Sequence, residues 1–253
     1  MKRHLCGVHA VREALASHAR DIAVVYLVDD DAKGPLAELA TLARNARVNV
    51  EIRDARALDA LAGPVRHQGV VAVSAGDYPY LDLDTLLAKA RKRTETPLLV
   101  ALDEVTDPHN LGAIVRSVVA LGADGVITLK DRAAPVTPVV VRASAGATEH
   151  ASIARVVNLS RALETLSRLD VRTVGLDAEG SADLESVDLT GPVALVVGSE
   201  GNGLRRLVRE RCDVLARIPL SGPVASLNAS VAAAIAIYEV TRQRRAASSR
   251  DPG

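Results

Sequence analysis

The sequence contains no phenylalanine and no tryptophan, and its only aromatic residues are four tyrosines. Hydrophobic residues nonetheless make up 48% of the 253 positions, so the low hydrophobicity that keeps disordered chains unfolded is missing. A chain of this length can bury roughly 70 to 75% of its unfolded surface. We therefore expect a folded protein with an aliphatic core, built as one large α/β domain or as a large and a small one.

Cysteine is also scarce, since Cys6 and Cys212 are the only two and they lie far apart. Neither belongs to a CxxC pattern or to a cysteine and histidine spacing typical of zinc ligands. The sequence therefore supports neither a disulfide framework nor a metal site. We predict two reduced thiols and no bound metal.

An excess of one charge is missing too, because 31 lysines and arginines balance 31 aspartates and glutamates. No global positive field would attract nucleic acid or an acidic membrane, so any such binding must be local. No apolar run approaches the roughly 18 residues of a membrane span, and residues 1–15 lack the apolar segment of a signal peptide. These absences predict a cytoplasmic protein with no membrane partner.

Strand-like and helical segments alternate along the chain. Residues 1–75 read as a small α/β domain, and a polar, turn-rich stretch over residues 76–96 is interpreted as a linker. From residue 97 to residue 247 the alternation favours a mostly parallel sheet with helices on both faces. Residues 248–253 are interpreted as a flexible tail. The strand-like runs are 22–28, 48–52, 69–73, 98–102, 125–129, 171–176, 193–197 and 214–218, and the helical runs are 36–43, 111–121, 158–169, a segment after Gly203, and 226–245.

Three short stretches at the ends of apolar runs carry most of the functional information: residues 107–112 with Arg116, residues 198–203, and residues 226–230. In an open α/β sheet, ligand sites are built where a strand delivers the chain to a loop and a helix. The glycines of 198–203 would let backbone N–H groups face a ligand. A dinucleotide fingerprint fails at Arg206, however, which disfavours a nucleotide-dependent oxidoreductase.

The first two stretches contain two charged candidate residues, Arg116 and Glu200, and the neutral candidate Asn110. Asn110 is well placed as the N-cap of a helix. Arg116 interrupts an apolar run in which an unpaired guanidinium would be costly. Gly112, four residues earlier on the same helix face, would leave room for a substrate. Glu200 would repel a pyrophosphate but could pair with an arginine such as Arg116 or accept a hydrogen bond from a hydroxyl group.

The third stretch offers neutral groups. Ser226 and Asn228 precede or open a helix, and capping alone would explain Ser226. A hydroxyl and an amide that converge on one point could instead serve a ribose or an amino-acid group. His109 is the only histidine inside a motif, and an ordinary polar position is the better interpretation for it.

Taken together, the ordered motifs resemble the SpoU family of RNA ribose 2'-O-methyltransferases, within the SPOUT superfamily; they lie at residues 102–117, 197–204 and 218–232. The resemblance covers about residues 97–245. It extends weakly to residues 7–11 and 67–70, which are similar to the family's small RNA-substrate-binding domain. The two-domain layout is similar to that of the bacterial 23S ribosomal RNA guanosine-2'-O-methyltransferases. Glu104 stands where a small residue is common in the family.

The resemblance implies a deep trefoil knot in the C-terminal domain, which is a rare exception to unknotted topology. It implies S-adenosylmethionine as methyl donor, held by Gly198, Ile218 and Leu227, and no metal. It also implies ribosomal RNA as the substrate and a homodimer as the functional unit. By the same resemblance, the catalytic residues are Arg116, Asn110, Glu200, Ser226 and Asn228.

Arg116 would come from the partner subunit or lie near it. Because arginine does not lose its proton in proteins, we expect it to orient the substrate and to stabilise oxyanion charge. The alternatives left open are a transfer RNA ribose 2'-O-methyltransferase and a catalytically idle RNA-binding or ribosome-assembly protein on the same scaffold.

Overall fold

Runs of valine, leucine and isoleucine form the strands of this protein in a computed structural model that describes residues 2–29 and 33–249. In chain order, the helices and strands of those residues are β1 (His4–Cys6), α1 (Val8–His18), β2 (Ile22–Leu27), α2 (Pro35–Asn45), β3 (Asn49–Ile52), α3 (Ala55–Ala62), β4 (Val70–Ser74), α4 (Leu83–Arg93), β5 (Leu98–Leu102), α5 (Pro108–Ala120), β6 (Gly125–Leu129), α6 (Pro138–Ala143), β7 (Ile153–Val156), α7 (Leu159–Arg168), β8 (Arg172–Leu176), β9 (Ala182–Asp183), β10 (Val193–Val197), α8 (Arg206–Arg209), β11 (Val214–Arg217) and α9 (Ala229–Ser248).

The chain divides into two units. The first combines the described residues of Met1–Pro79 with Leu111–Arg116 and Pro135–His150, and the second contains the other described residues. In the described part of the first unit, a four-stranded sheet has the order β1-β4-β2-β3. Strand β4 pairs antiparallel with β1 and β2, whereas β2 and β3 are parallel. This unit is therefore a mixed α/β structure.

The second unit contains, among its described residues, a seven-stranded sheet in the order β7-β6-β5-β10-β8-β11-β9. Every neighbouring pair is parallel. All residues of β5, β6 and β10 are buried, which is expected when a parallel strand is covered on both faces. The predicted α/β fold with a parallel sheet flanked by helices is confirmed.

The interpretation of residues 76–96 as a linker is wrong in part, because these residues include helix α4. Asp82 caps this helix by accepting a hydrogen bond from Thr85 N at 2.7 Å, and Leu86 and Leu87 are buried in the core of the second unit. The apolar spacing was obscured by the basic run that ends the helix, a favourable position for cations. The limits of the two domains stay a prediction.

The last helix begins and ends later than the sequence indicated. Helix α9 starts at Ala229 rather than near Ser226 and continues through Ser248, so it enters the predicted flexible tail. Residues 250–253 of that tail lie outside the described residues. Within the described ranges, no helix is both long and apolar enough to cross a membrane.

Candidate active site

Three polar side chains from distant parts of the second unit form one hydrogen-bonded group, which we call the amide–carboxylate cluster: Asn110, Glu200 and Asn228. Asn110 Nδ2 donates to Glu200 Oε1 at 2.9 Å, and Asn228 Nδ2 donates to Asn110 Oδ1 at 3.0 Å. Asn228 Nδ2 also donates to Glu200 Oε1. The fold thus brings together one residue from each of the three motifs.

The sequence predicted Asn110 as the N-cap of its helix, and this prediction is wrong. The N-cap of α5 is Asp107, whose side chain accepts a hydrogen bond from His109 N at 3.1 Å. Pro108 takes the first helical position, where its missing N–H costs nothing. Asn110 therefore lies inside the first turn, with its buried side chain free to bond with Glu200.

Glu200 is presented by a tight loop that follows β10, which we call the Glu200 loop (residues 198–204). Ser199 and Gly203 exchange two backbone hydrogen bonds of 3.1 and 3.0 Å. Gly201 and Gly203 have φ values of 81° and 61°, which glycine adopts without steric cost. Within the described residues, two amide groups donate to this carboxylate. A pairing of Glu200 with an arginine such as Arg116 of a second subunit stays a prediction.

Gly198 closes the base of the Glu200 loop. A Cβ atom at this position would lie 2.2 Å from the carbonyl carbon of Gly203 and 2.5 Å from Leu204 N. These obstacles are backbone atoms, which cannot rotate away as a side chain can. The close approach therefore requires glycine here.

Asn228 serves two neighbouring structures at once. Its Oδ1 caps α9 by accepting hydrogen bonds from Ser230 N at 2.9 Å and Val231 N at 3.3 Å. Its Nδ2 faces Glu200, and this orientation is required because a carboxylate can only accept. The helix start is therefore tied to the cluster through one side chain.

A cleft of about 440 Å³ opens beside the cluster, within the 300 to 1,000 Å³ typical of ligand pockets. Residues 176–179, 197–204 and 216–232 supply most of its lining. The predicted cofactor-binding residues Gly198, Ile218 and Leu227 all line it. Glu200 and the exposed Ser226 line it as well.

One wall of the cleft carries charged side chains that the sequence did not predict as part of the site. Arg209 Nη1 lies 3.1 Å from Asp177 Oδ2 and 3.9 Å from Glu179 Oε2, and all three residues line the cleft. Asp177 directly follows strand β8. Its position at the carboxyl end of a parallel strand was a usable signal, because ligand sites gather there.

Arg116 is exposed on α5 and is not a hydrogen-bond partner within the cluster. It follows Asn110 by six residues, so the two side chains leave the helix in directions roughly 120° apart. The sequence predicted that an unpaired guanidinium here would be costly to bury. The Arg116 side chain is exposed to solvent, so this free-energy cost does not arise.

Gly112 does not leave room for a substrate, and that interpretation is wrong. A Cβ atom at Gly112 would lie 2.5 Å from Ala143 Cβ and 2.9 Å from Val140 O, both on α6. The missing side chain lets α5 and α6 approach closely. Gly112 is thus a packing position in the first unit.

Within the described residues, no group of three or more histidine, cysteine, aspartate or glutamate side chains could hold a metal ion. The polar groups that line the cleft or form the cluster are amides, carboxylates, the Arg209 guanidinium, the Ser226 hydroxyl and backbone groups.

Comparison with known proteins identifies the family of this chain. Residues 97–238 match the SpoU rRNA Methylase family, and residues 4–79 match a domain described as RNA 2'-O ribose methyltransferase substrate binding. The chain is 42% identical over 241 residues to "Putative TrmH family tRNA/rRNA methyltransferase YacO" of Bacillus subtilis, covering 95% of this chain and 96% of the relative. It is 42% identical over 240 residues to "23S rRNA (guanosine-2'-O-)-methyltransferase RlmB" of Pseudomonas putida, covering 94% and 96%.

Among solved structures, the SpoU methyltransferase AviRb from Streptomyces viridochromogenes, in complex with the cofactor AdoMet, superposes with a TM-score of 0.82 and 29% identity. The match covers 96% of this chain and 91% of that one. Since the family match spans more than half of the chain and the two relatives are matched over nearly their full length, this protein belongs to the SpoU rRNA methylase family.

Proposed function

We propose that this protein transfers a methyl group from S-adenosylmethionine to the 2'-hydroxyl of a guanosine ribose in 23S ribosomal RNA. The relative named for this reaction is matched almost end to end at 42% identity. The observation that carries the proposal is the amide–carboxylate cluster of Asn110, Glu200 and Asn228, set at the edge of a ligand-sized cleft.

The cleft suits the methyl donor. Ile218, Leu220 and Leu227 offer an apolar surface to a flat heterocycle, and the Glu200 loop offers backbone N–H and C=O groups. Asp177 and Glu179 offer acceptors for hydroxyl groups. When bound, S-adenosylmethionine supplies an electrophilic methyl carbon on a positively charged sulfur.

The protein's contribution is chiefly alignment, because methyl transfer needs the attacking oxygen, the carbon and the sulfur in line. Positioning of this kind can contribute about 7 to 11 kcal/mol. The cluster connects the Glu200 loop to the starts of α5 and α9, so it fixes the wall of the cleft that bears Ser226 and Leu227. Asn228 is the exposed asparagine of the cluster and could also contact a ribose or its phosphate.

Arg116 completes this proposal as the residue that orients the substrate and stabilises negative charge on the ribose oxygen. A guanidinium keeps its proton in proteins, so Arg116 does not act as the base. Its exposure on α5 leaves it available to a second subunit.

The functional unit in this proposal is a homodimer. Helix α9 carries three large exposed side chains at positions i, i+4 and i+7: Val231, Ile235 and Tyr238. An apolar stripe on one helix face normally has a partner. The same helix lines the cleft through Ala229 and Ala232, so a second copy on this stripe would stand beside the site and could supply Arg116.

Two finer features of the proposal follow from family membership. The Glu200 loop and residues 218–227 line one cleft although β11 separates them in sequence, as expected if the C-terminal segment forms a trefoil knot. A ribosomal RNA substrate supports the proposal of a cytoplasmic location.

The test is methyl transfer from labelled S-adenosylmethionine to unmodified 23S ribosomal RNA and, separately, to unmodified transfer RNA, with the 2'-O-methylated position mapped in each product. We expect one guanosine in the ribosomal RNA to be modified. Modification of transfer RNA alone would favour the transfer RNA enzyme. Donor and RNA binding without transfer would favour a non-catalytic scaffold.

A further inference from the structure

The Glu200 loop is anchored at its base by a buried carboxylate that directly follows β5. Asp103 is fully buried, at 0% exposure. Its backbone N–H donates to Val197 O at 2.8 Å. Its carboxylate accepts hydrogen bonds from Arg205 N and from Arg205 Nε, both at 2.8 Å. Since Val197 and Arg205 flank the loop, Asp103 joins its two ends.

The pairing of Asp103 with Arg205 is a strong constraint. Arg205 Nη2 also lies 2.6 Å from Asp103 Oδ1, so the guanidinium contacts the carboxylate through two nitrogens. The hydrogen bond to Asp103, followed by its charge and that of Glu104, raises the pKa of Arg205 above its ordinary value, against the effect of burial. The Arg205 side chain is 33% exposed and Asp103 is fully buried, so losing Arg205 would leave a buried carboxylate without a compensating charge, which is strongly unfavourable. The loop base therefore has one favoured arrangement.

The Glu200 loop is rigid between its base at Asp103 and its tip at Glu200. The backbone hydrogen bonds between Ser199 and Gly203 and the close approach at Gly198 make the loop one stiff unit. Leu204, next to Arg205, is buried in the core of the second unit. A shift at the base would consequently move Glu200, which bonds with the cluster.

We propose that Asp103 is a positioning residue of the methyl-donor site, acting through Arg205 on the loop that carries Glu200. Asp103 does not line the cleft, whereas the Glu200 loop does. This inference rests on the proposed function only in naming the ligand of the cleft. The anchoring of the loop itself can be measured without any ligand.

Glu104 provides a matched control, because it is the neighbouring acid and contacts the same arginine. Its Oε1 lies 3.1 Å from Arg205 Nη1 and 2.8 Å from Arg132 Nη1, although neither contact is aligned as a hydrogen bond. Its side chain is 26% exposed, compared with 0% for Asp103. Partly exposed pairs of this kind contribute little.

The experiment compares Asp103→Asn with Glu104→Gln by amide hydrogen exchange of the ligand-free protein and by calorimetric titration with S-adenosylhomocysteine. For Asp103→Asn we expect the amides of Gly203 and Arg205 to exchange roughly 10-fold faster or more, with strands β5 and β10 still protected. We also expect affinity for S-adenosylhomocysteine to fall by at least about 10-fold. Glu104→Gln should stay within about 2-fold of the parent in both measurements.

Arg205→Lys tests the same contact if Asp103→Asn fails to fold. Lysine keeps the charge and the backbone hydrogen bond but loses the two-point contact, so both readouts should change in the same direction by a smaller factor. The proposal is wrong if loop exchange and affinity in the folded variants match those of Glu104→Gln. If the parent protein does not bind S-adenosylhomocysteine, the proposed function fails, whereas the exchange measurement still decides whether Asp103 anchors the loop.

Discussion

At the scale of single residues, the side chain of Asn228 combines two functions that substitutions can separate. Its Oδ1 caps α9, and its Nδ2 bonds to Asn110 and Glu200. Serine can replace the cap but cannot reach across with an amide. Asn228→Ser should therefore lose the cluster contacts and keep the cap, whereas Asn228→Ala should lose both.

We predict that Asn228→Ala lowers the free energy of unfolding by about 1 kcal/mol, whereas Asn228→Ser changes it by only a few tenths. Both should slow single-turnover methyl transfer by roughly 100-fold, because the Glu200 loop loses its link to α9. Urea denaturation and rapid-quench kinetics measure the two effects. Full activity in Asn228→Ser would show that the amide is only a cap.

The side chain of Arg116 is exposed, so its replacement should affect catalysis without disturbing the packing of the protein. Arg116→Ala should lower kcat by roughly 100- to 1,000-fold and leave the Kd for S-adenosylhomocysteine within about 2-fold. The control is Arg168→Ala, which removes an exposed arginine on a different helix, α7, and should leave both values unchanged. Full turnover in Arg116→Ala would remove this residue from the mechanism.

The burial of the two cysteines predicts low thiol reactivity in the folded protein. Burial raises the pKa of Cys6 to about 11 and that of Cys212 to about 12, the latter with help from nearby carboxylates. A thiol-specific reagent at pH 8 should therefore react slowly with the native protein and fast with the unfolded one. The folded state holds these protons at pH values where unfolded thiols release them, so stability should fall as pH rises from about 9 towards 11. Fast labelling of native protein would contradict this.

At the scale of helices and strands, close packing explains a glycine that looked functional. Gly112→Ala would normally stabilise a helix by about 1 kcal/mol. Here its Cβ would clash with Ala143 and Val140 on α6. We predict a net loss of about 1 to 3 kcal/mol in the free energy of unfolding, measured by urea denaturation. Gly191→Ala, which has open space and an ordinary φ, should be neutral or slightly stabilising.

The strands were the most predictable elements. The bounds of β5, β6 and β10 agree with the sequence prediction to the residue, because a continuous apolar run of strand length is a local signal. Helices α1, α3, α4 and α6 were missed. In α4, alternating apolar and polar positions end in a basic run, and its burial depends on packing that the local pattern does not contain.

At the scale of the whole molecule, the exposed stripe on α9 predicts the oligomeric state. Ile235→Glu combined with Tyr238→Glu should convert a dimer into a monomer in sedimentation velocity and abolish methyl transfer, because a charge in an apolar interface is costly. Val157→Glu alters an isolated exposed valine and should leave the dimer intact. A monomeric parent protein, or a dimeric double variant, would contradict the proposed dimer.

The sequence by itself determined the class of fold and the identity of the polar residues in the three motifs. Both signals are local, since strands appear as apolar runs and the motifs lie at their ends. Only the tertiary structure decided that Asn110 bonds with Glu200 instead of capping its helix, that Gly112 packs against α6, and that Asp103 pairs with Arg205. These contacts join residues about 30 to 100 positions apart, and their partners are determined by how strands and helices are arranged in space.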